Sequence, residues 1–278
     1  MKEEFEVGQR VRLDGHIYLV ERLMRGGMGL VLLCSRADSA VSQLYRSQIA
    51  AKVFFPNQDQ QQIRKELQLW QRLHSPHIVP LLAVGHVNDW LCAAMPWYAD
   101  GAVSFEGLRK TGGPAAVKSL LEQMCQALDN AWKQRILHLD VKPSNILRRG
   151  DSYAMADWGI ARIASAKAAK QDPSTGGTLP YMAPERFSEE PRDISADVYA
   201  LGMSAFELAL GVLPFEEQTY ESLVGAILSG KASARLERIT AQLPESWRLL
   251  ITSCCAFDRA SRPQSYRHVL QLVEALEA

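Results

Sequence analysis

The sequence predicts an α+β protein of two lobes: a small antiparallel-sheet lobe with one helix, then a larger, mainly helical lobe. Three observations carry this. From about Glu4 to Trp90, short β-type runs such as Tyr18-Leu19-Val20 and Leu30-Val31-Leu32-Leu33-Cys34 alternate with turn residues. From about Gly113 onward apolar residues recur at helical spacing, first in Val117, Leu120, Leu121, Met124 and Leu128 and later from Ser195 to Leu210. Between these regions, Met95-Pro96-Trp97-Tyr98-Ala99-Asp100-Gly101 is punctuated by proline and glycine. The expected organisation is a small lobe over 1–95, a hinge over 96–101 and a large lobe over 102–278, with no internal repeat or low-complexity tail.

Within the first lobe, Arg22 to Val31 places Gly26, Gly27 and Gly29 between two strand-like runs. Such a turn alone reads as a hairpin, but glycines also let backbone N–H groups approach anionic oxygens with no Cβ in the way. The apolar run Ile49-Ala50-Ala51 ends in Lys52, and a buried ammonium is too costly to keep without a partner. A helix follows around Gln62 to Trp70, where Ile63, Leu67 and Trp70 define one face. Glu66 comes three residues after Ile63 and four before Trp70, so it shares that inward side and is the expected partner of Lys52.

Composition bounds the function without identifying it. A chain of 278 residues is long enough for one large domain or two lobes. Its 31 basic and 31 acidic residues cancel, which points away from nucleic acid or an anionic membrane as the main partner. Five cysteines, two of them adjacent at Cys254-Cys255, lack metal-ligand spacing and suit free thiols in a reducing compartment. The opening Met1-Lys2-Glu3-Glu4-Phe5-Glu6 lacks the apolar core of a secretory signal. The longest apolar run, Val198 to Phe215, contains Gly202, Glu207 and Gly211 and reads as a buried helix rather than a membrane span. A cytoplasmic protein is expected.

The chemistry-bearing residues come in a fixed order: His138-Leu139-Asp140-Val141-Lys142-Pro143-Ser144-Asn145-Ile146-Leu147, then Asp157-Trp158-Gly159, then Ala183-Pro184-Glu185. Singly, a His-x-Asp or an Asp-x-Gly is usually structural. In this order and spacing, behind Lys52 and Glu66, they resemble the eukaryotic-like serine/threonine protein kinase family in its bacterial form, from about Val20 to about Val269. The resemblance implies the two-lobe protein kinase fold and transfer of the ATP γ-phosphate to serine or threonine hydroxyls of proteins, the chain itself included. Asp140 would orient the attacking hydroxyl and Lys142 would offset charge on the moving phosphoryl group. Thr178, in Gly177-Thr178-Leu179-Pro180-Tyr181, would brace both. Asn145 and Asp157 would hold magnesium, with manganese as the alternative ion; both are hard cations served by oxygen ligands.

By the same resemblance, Gly26 and Gly29 cover the nucleotide phosphates, and Lys52 pairs the α/β-phosphates with Glu66. Val31, Ala50 and Leu147 flank the purine, Met95 guards the inner adenine pocket, and the backbone from Pro96 through Trp97 to Tyr98 faces the adenine edge. Pro96 has no N–H, so a hinge donor comes from a neighbour such as Tyr98. Asp197 resembles the helix-start aspartate that accepts from the catalytic-loop backbone, and Arg262 the arginine paired with Glu185.

Three positions depart from the family pattern. Met24 stands where the first loop glycine belongs, and Trp158 replaces a phenylalanine. Leu139 replaces the arginine that binds a phosphate on the activation segment, so phosphorylation at Ser165, Ser174 or Thr175 is expected not to be strictly required. Two other functions stay open at this level: a kinase-fold binding module without catalysis, and a kinase of small molecules, a class that usually lacks Thr178 and the Ala183-Pro184-Glu185 segment.

Overall fold

The computed structural model describes residues 5–26, 29–37, 48–158, 162–163, 177–188 and 192–277. Gly27, Met28, Gly159, Ser165, Ser174 and Thr175 lie outside the described residues. The chain divides into two compact units, one of Met1–His74 with Val79–Ala99, the other of Ser75–Ile78 with Asp100–Ala278.

The smaller unit is an antiparallel sheet with one helix. Its strands are β1 (Arg10–Leu13), β2 (His16–Gly26), β3 (Gly29–Arg36), β4 (Gln48–Phe54), β5 (Ala83–Val87) and β6 (Trp90–Pro96), in the order β1-β2-β3-β4-β6-β5. Two of its turns are two-residue links in which both residues take positive φ: Asp14 (50°) with Gly15 (76°), and Asn88 (48°) with Asp89 (67°). That backbone twist matches the twist of the flanking strands, and Asn, Asp and Gly adopt it at the least cost. Helix α1 (Gln60–Gln71) starts where the Asp59 carboxylate accepts from the N–H groups of Gln61 and Gln62, each at 3.0 Å. The Trp70 indole N–H donates to the Val79 carbonyl at 2.7 Å, anchoring the helix to the chain that follows it.

Register decides what each sheet face does. Leu30, Leu32, Cys34, Ile49, Ala51, Val53, Cys92 and Ala94 pack with Phe5, Val11 and Val20 into one buried core. The alternate residues of β3, β4 and β6 take the other face.

The larger unit is mainly helical: α2 (Phe105–Thr111), α3 (Gly113–Trp132), α4 (Ile194–Leu210), α5 (Tyr220–Leu228), α6 (Lys231–Thr240), α7 (Glu245–Cys254) and α8 (Tyr266–Glu274). Four short strands, β7 (Ile136–Leu137), β8 (Ile146–Arg149), β9 (Ser152–Met155) and β10 (Arg162–Ile163), form the β7–β10 and β8–β9 pairs. The apolar run read as one helix to Phe215 stops at Leu210. Gly211 there adopts a φ of 74° and its N–H donates to the Glu207 carbonyl at 2.7 Å, which closes the last turn. Helix α4 is buried along most of its length and forms the centre of this unit. Among the described residues, no helix is long and apolar enough to cross a membrane.

Candidate active site

The larger unit builds its site on α4. Asp197, fully buried in the first turn of that helix, accepts from the backbone N–H of His138 at 2.8 Å and of Leu139 at 2.7 Å. Burial pushes its carboxyl above the ordinary range, while these backbone donors and the nearby Arg186 pull it back. The pull on Leu139 matters because its φ is 66°, a left-handed conformation costing a branched residue roughly 1–2 kcal/mol. Held that way, the chain turns sharply before Asp140. His138 supports the same turn: Nδ1 accepts from the Asp140 N–H at 3.1 Å, so Nε2 carries the proton given to the Ala156 carbonyl at 3.0 Å.

Around Asp140 three predicted residues meet. The Thr178 hydroxyl donates to Oδ1 at 3.0 Å, the Lys142 ammonium lies 2.8 Å from Oδ2, and the Asn145 amide donates to Oδ2 at 2.9 Å and to the Asp140 carbonyl at 2.8 Å. Lys142 also donates to the Thr178 hydroxyl at 2.5 Å. An ionised carboxylate offers about four acceptor positions. Three are filled by these side chains, and the capacity that remains suits one incoming hydroxyl.

Asn145 and Asp157 stand at the same end of the β8–β9 hairpin. Ile146 pairs with Met155, and one step further the Ala156 N–H donates to the Asn145 carbonyl at 2.8 Å, next to Asp157. Asp157 has a φ of 57°, a conformation aspartate tolerates better than most residues. The Asn145 side-chain nitrogen is committed to Asp140, which leaves the side-chain oxygen as the atom that could face a cation. An amide oxygen and a carboxylate fit a hard divalent cation that keeps waters and takes phosphate oxygens. Trp158 is fully buried, meets His138 edge-on at 4.6 Å, and its indole N–H donates to the Met155 carbonyl at 3.3 Å.

In the smaller unit, β3, β4 and β6 bring distant residues onto the face opposite the buried core. Val31 pairs with Lys52, Lys52 with Ala93, and Ala50 with Met95, so Val31, Ala50, Lys52 and Met95 share one side of the sheet. Met24, paired with Val31, lies on that side too and is 38% exposed. Gly26 and Gly29 close the β2–β3 ribbon as a directly opposed pair. Trp97 and Tyr98 follow β6 and are half-buried. Glu66 lies on the inward face of α1 with Ile63, Leu67 and Trp70, and accepts from the Gln62 amide at 2.8 Å. Leu147 belongs to the larger unit, on β8 opposite Ala154.

Some members of the site carried no separate signal in the sequence. His138 was legible only as part of a motif, and its two-sided hydrogen bonding emerges from the fold. Tyr181 donates to Glu207 of α4 at 2.5 Å, fixing the segment after Thr178, and their separation of 26 positions hides that relationship.

Comparison with known proteins agrees with this geometry. The family model described as the protein kinase domain matches residues 18–273. The chain is 32% identical over 257 residues to the serine/threonine-protein kinase PknD of Mycobacterium tuberculosis, covering 89% of this chain and 38% of that protein. It is 31% identical over 225 residues to PknH and 33% identical over 204 residues to PknE, both serine/threonine-protein kinases of Mycobacterium bovis, covering 78% and 72% of this chain. Each of those two matches covers 36% of the relative, so the chain spans little more than a third of these proteins. The chain belongs to the protein kinase family, as a serine/threonine kinase domain of the bacterial kind. That family uses ATP and a divalent metal.

Proposed function

We propose that this chain transfers the γ-phosphoryl group of ATP, as its magnesium complex, to serine and threonine hydroxyls of protein substrates, itself among them. The observation that carries the reading is the convergence of Thr178, Lys142 and Asn145 on the Asp140 carboxylate. Asp140 accepts the hydrogen bond of the substrate hydroxyl and orients its oxygen for attack. Lys142, held between Asp140 and Thr178, puts its positive charge where charge builds on the transferring group. Asn145 and Asp157 hold the metal; when bound, the ion neutralises phosphate charge and fixes phosphate orientation.

In the smaller unit, Val31, Ala50 and Met95 are assigned to the purine, Trp97 and Tyr98 to its hydrogen-bonding edge, and Lys52, oriented by Glu66, to the α/β-phosphates. Gly26 and Gly29 offer backbone N–H groups to the phosphates. These roles follow from the family resemblance and the shared sheet face. Buried free thiols at all five cysteines favour a reducing compartment, the cytoplasm. The balanced charge favours protein over nucleic acid as the partner.

The test is incubation with labelled ATP and magnesium. Label on serine or threonine in the wild type, absent from Asp140→Asn and Asp157→Ala variants that remain folded, supports the reading. Nucleotide binding with no transfer by the wild type would instead make the chain a binding module.

A further inference from the structure

We infer that Arg186 is a positioning residue for Asp140, acting through the Leu139 carbonyl. This rests on the role proposed for Asp140 and adds a group that the motifs do not contain. Arg186 lies in the short turn Pro184–Phe187, where its own N–H donates to the Ala183 carbonyl at 2.9 Å. Instead of reaching solvent, as a surface arginine does, the residue is 7% exposed and its Nη1 donates to the Leu139 carbonyl at 2.8 Å.

The Leu139 peptide is therefore gripped at both ends. Asp197 takes its N–H at 2.7 Å and Arg186 its carbonyl, across the residue whose left-handed φ of 66° aims Asp140. A carbonyl fixed in direction fixes the next peptide plane, and the Asp140 side chain leaves from that plane. The two clamps carry opposite charge, and Arg186 is close enough to draw the Asp197 carboxyl down against the effect of burial. Gly177, with a φ of 101°, passes directly over the contact: a Cβ there would stand 3.3 Å from the Leu139 oxygen and 3.6 Å from Arg186 Nη2. Beside it, a cavity of about 10 Å³ touches Asp140, Thr178 and Arg186, room for one water. Arg186 thus ties the end of the segment that carries Thr178 to the residue just ahead of Asp140.

Charged hydrogen bonds of this kind are worth roughly tenfold or more in rate when they hold a reacting group. In the full chain, Arg186→Ala is expected to remain folded and to lower kcat by about tenfold or more, with KM for ATP changed by less than about twofold. Guanidinium ion at millimolar concentration should restore part of that rate, and ammonium ion should not. Amide hydrogen exchange at Leu139 and Asp140 should quicken in the same variant. Unchanged kcat, a loss that guanidinium does not restore, or unaltered exchange at Leu139 overturns the inference. If Arg186→Ala fails to fold, Arg186→Lys decides. A single donor without the planar fork should give an intermediate kcat at constant KM for ATP, and full activity would overturn the inference. Should the wild type transfer no phosphate at all, the functional reading fails on its own, and exchange at Leu139 still judges the role of Arg186.

Discussion

Arg262 grips Glu185 with both arms of its guanidinium, Nη1 to Oε1 at 2.6 Å and Nη2 to Oε2 at 3.0 Å, and the arginine side chain is wholly inaccessible to solvent. The same guanidinium donates to the carbonyls of Ala256, Ser195 and Phe257 and lies 4.9 Å from the Tyr199 ring centre. Glu185 ends the Ala183-Pro184-Glu185 motif, so this pair ties the segment after Thr178 to the helical core. Removing one partner leaves the other charge buried, at a cost of roughly 3–5 kcal/mol. Arg262→Met is expected to show that full loss in chemical denaturation. Glu185→Gln, which keeps the shape and one acceptor oxygen, should lose distinctly less. Equal losses would mean that the whole cost lies in the broken charge pair, and that the shape and hydrogen bond kept by glutamine contribute nothing.

Thr178 offers a cleaner separation of catalysis from stability. Its hydroxyl is both donor to Asp140 and acceptor from Lys142, so Thr178→Val removes both bonds while keeping the branched shape. Charge-assisted bonds are worth about 1.5–3 kcal/mol, which corresponds to a fall in kcat of roughly 10- to 100-fold. Thr178→Ser retains the hydroxyl and should stay within a few-fold of wild type. A valine variant with wild-type kcat would remove Thr178 from the site.

What could be read from the sequence and what could not divide along the distance over which each residue acts. The inward face of α1, Glu66 included, was legible because helical periodicity is local, and Lys52 stood out as a cation ending an apolar strand. The Glu185–Arg262 pair and the acceptor role of Asp197 came from resemblance. The common face of Val31, Ala50, Lys52 and Met95 needs the register of three strands, two of them separated by α1 and β5, and no local pattern encodes that pairing. Ser75–Ile78 belongs with the larger unit through a bridge from Ile78 to Met155 and a 2.8 Å bond from the Met155 N–H to His77. Four such residues carry no compositional mark. Arg186 was invisible for the same reason, since its acceptor lies 47 residues away.

The two glycines at the end of the β2–β3 ribbon have different physical reasons to be glycine. A Cβ on Gly29 would stand 2.0 Å from the Val53 carbonyl oxygen and 3.0 Å from its carbon, inside the neighbouring strand. A Cβ on Gly26 would meet its nearest neighbour, the Gly29 oxygen, at an ordinary 3.7 Å. Gly29→Ala should therefore destabilise the protein by about 1–3 kcal/mol with no nucleotide present. Gly26→Ala should leave the melting temperature nearly unchanged, so that any rise in its KM for ATP reports on phosphate approach alone. A stable Gly29→Ala variant would show that β3 and β4 can part at little cost.

The cysteines predict how the fold responds to alkali. Burial pushes the thiols of Cys34, Cys92 and Cys254 from the ordinary 9.0 up to about 12, and raises those of Cys125 and Cys255 as well. Reagents that need a thiolate should consequently leave all five unlabelled at pH 8 until denaturant is added. Between pH 9 and about 12 the unfolded chain gives up protons that the folded chain retains, so the slope of stability against pH is negative there. The stabilisation is complete below pH 9 and drains away as pH rises towards the folded-state values. Burial pushes the phenols of Tyr153, Tyr199 and Tyr266 upward too, which acts in the same direction. Cys254→Ala, with no proton to release, should flatten the decline measured by denaturant titration across that window. Rapid labelling of any cysteine in the folded protein, or stability that climbs above pH 9, would show that these thiols are not held in a low-dielectric core.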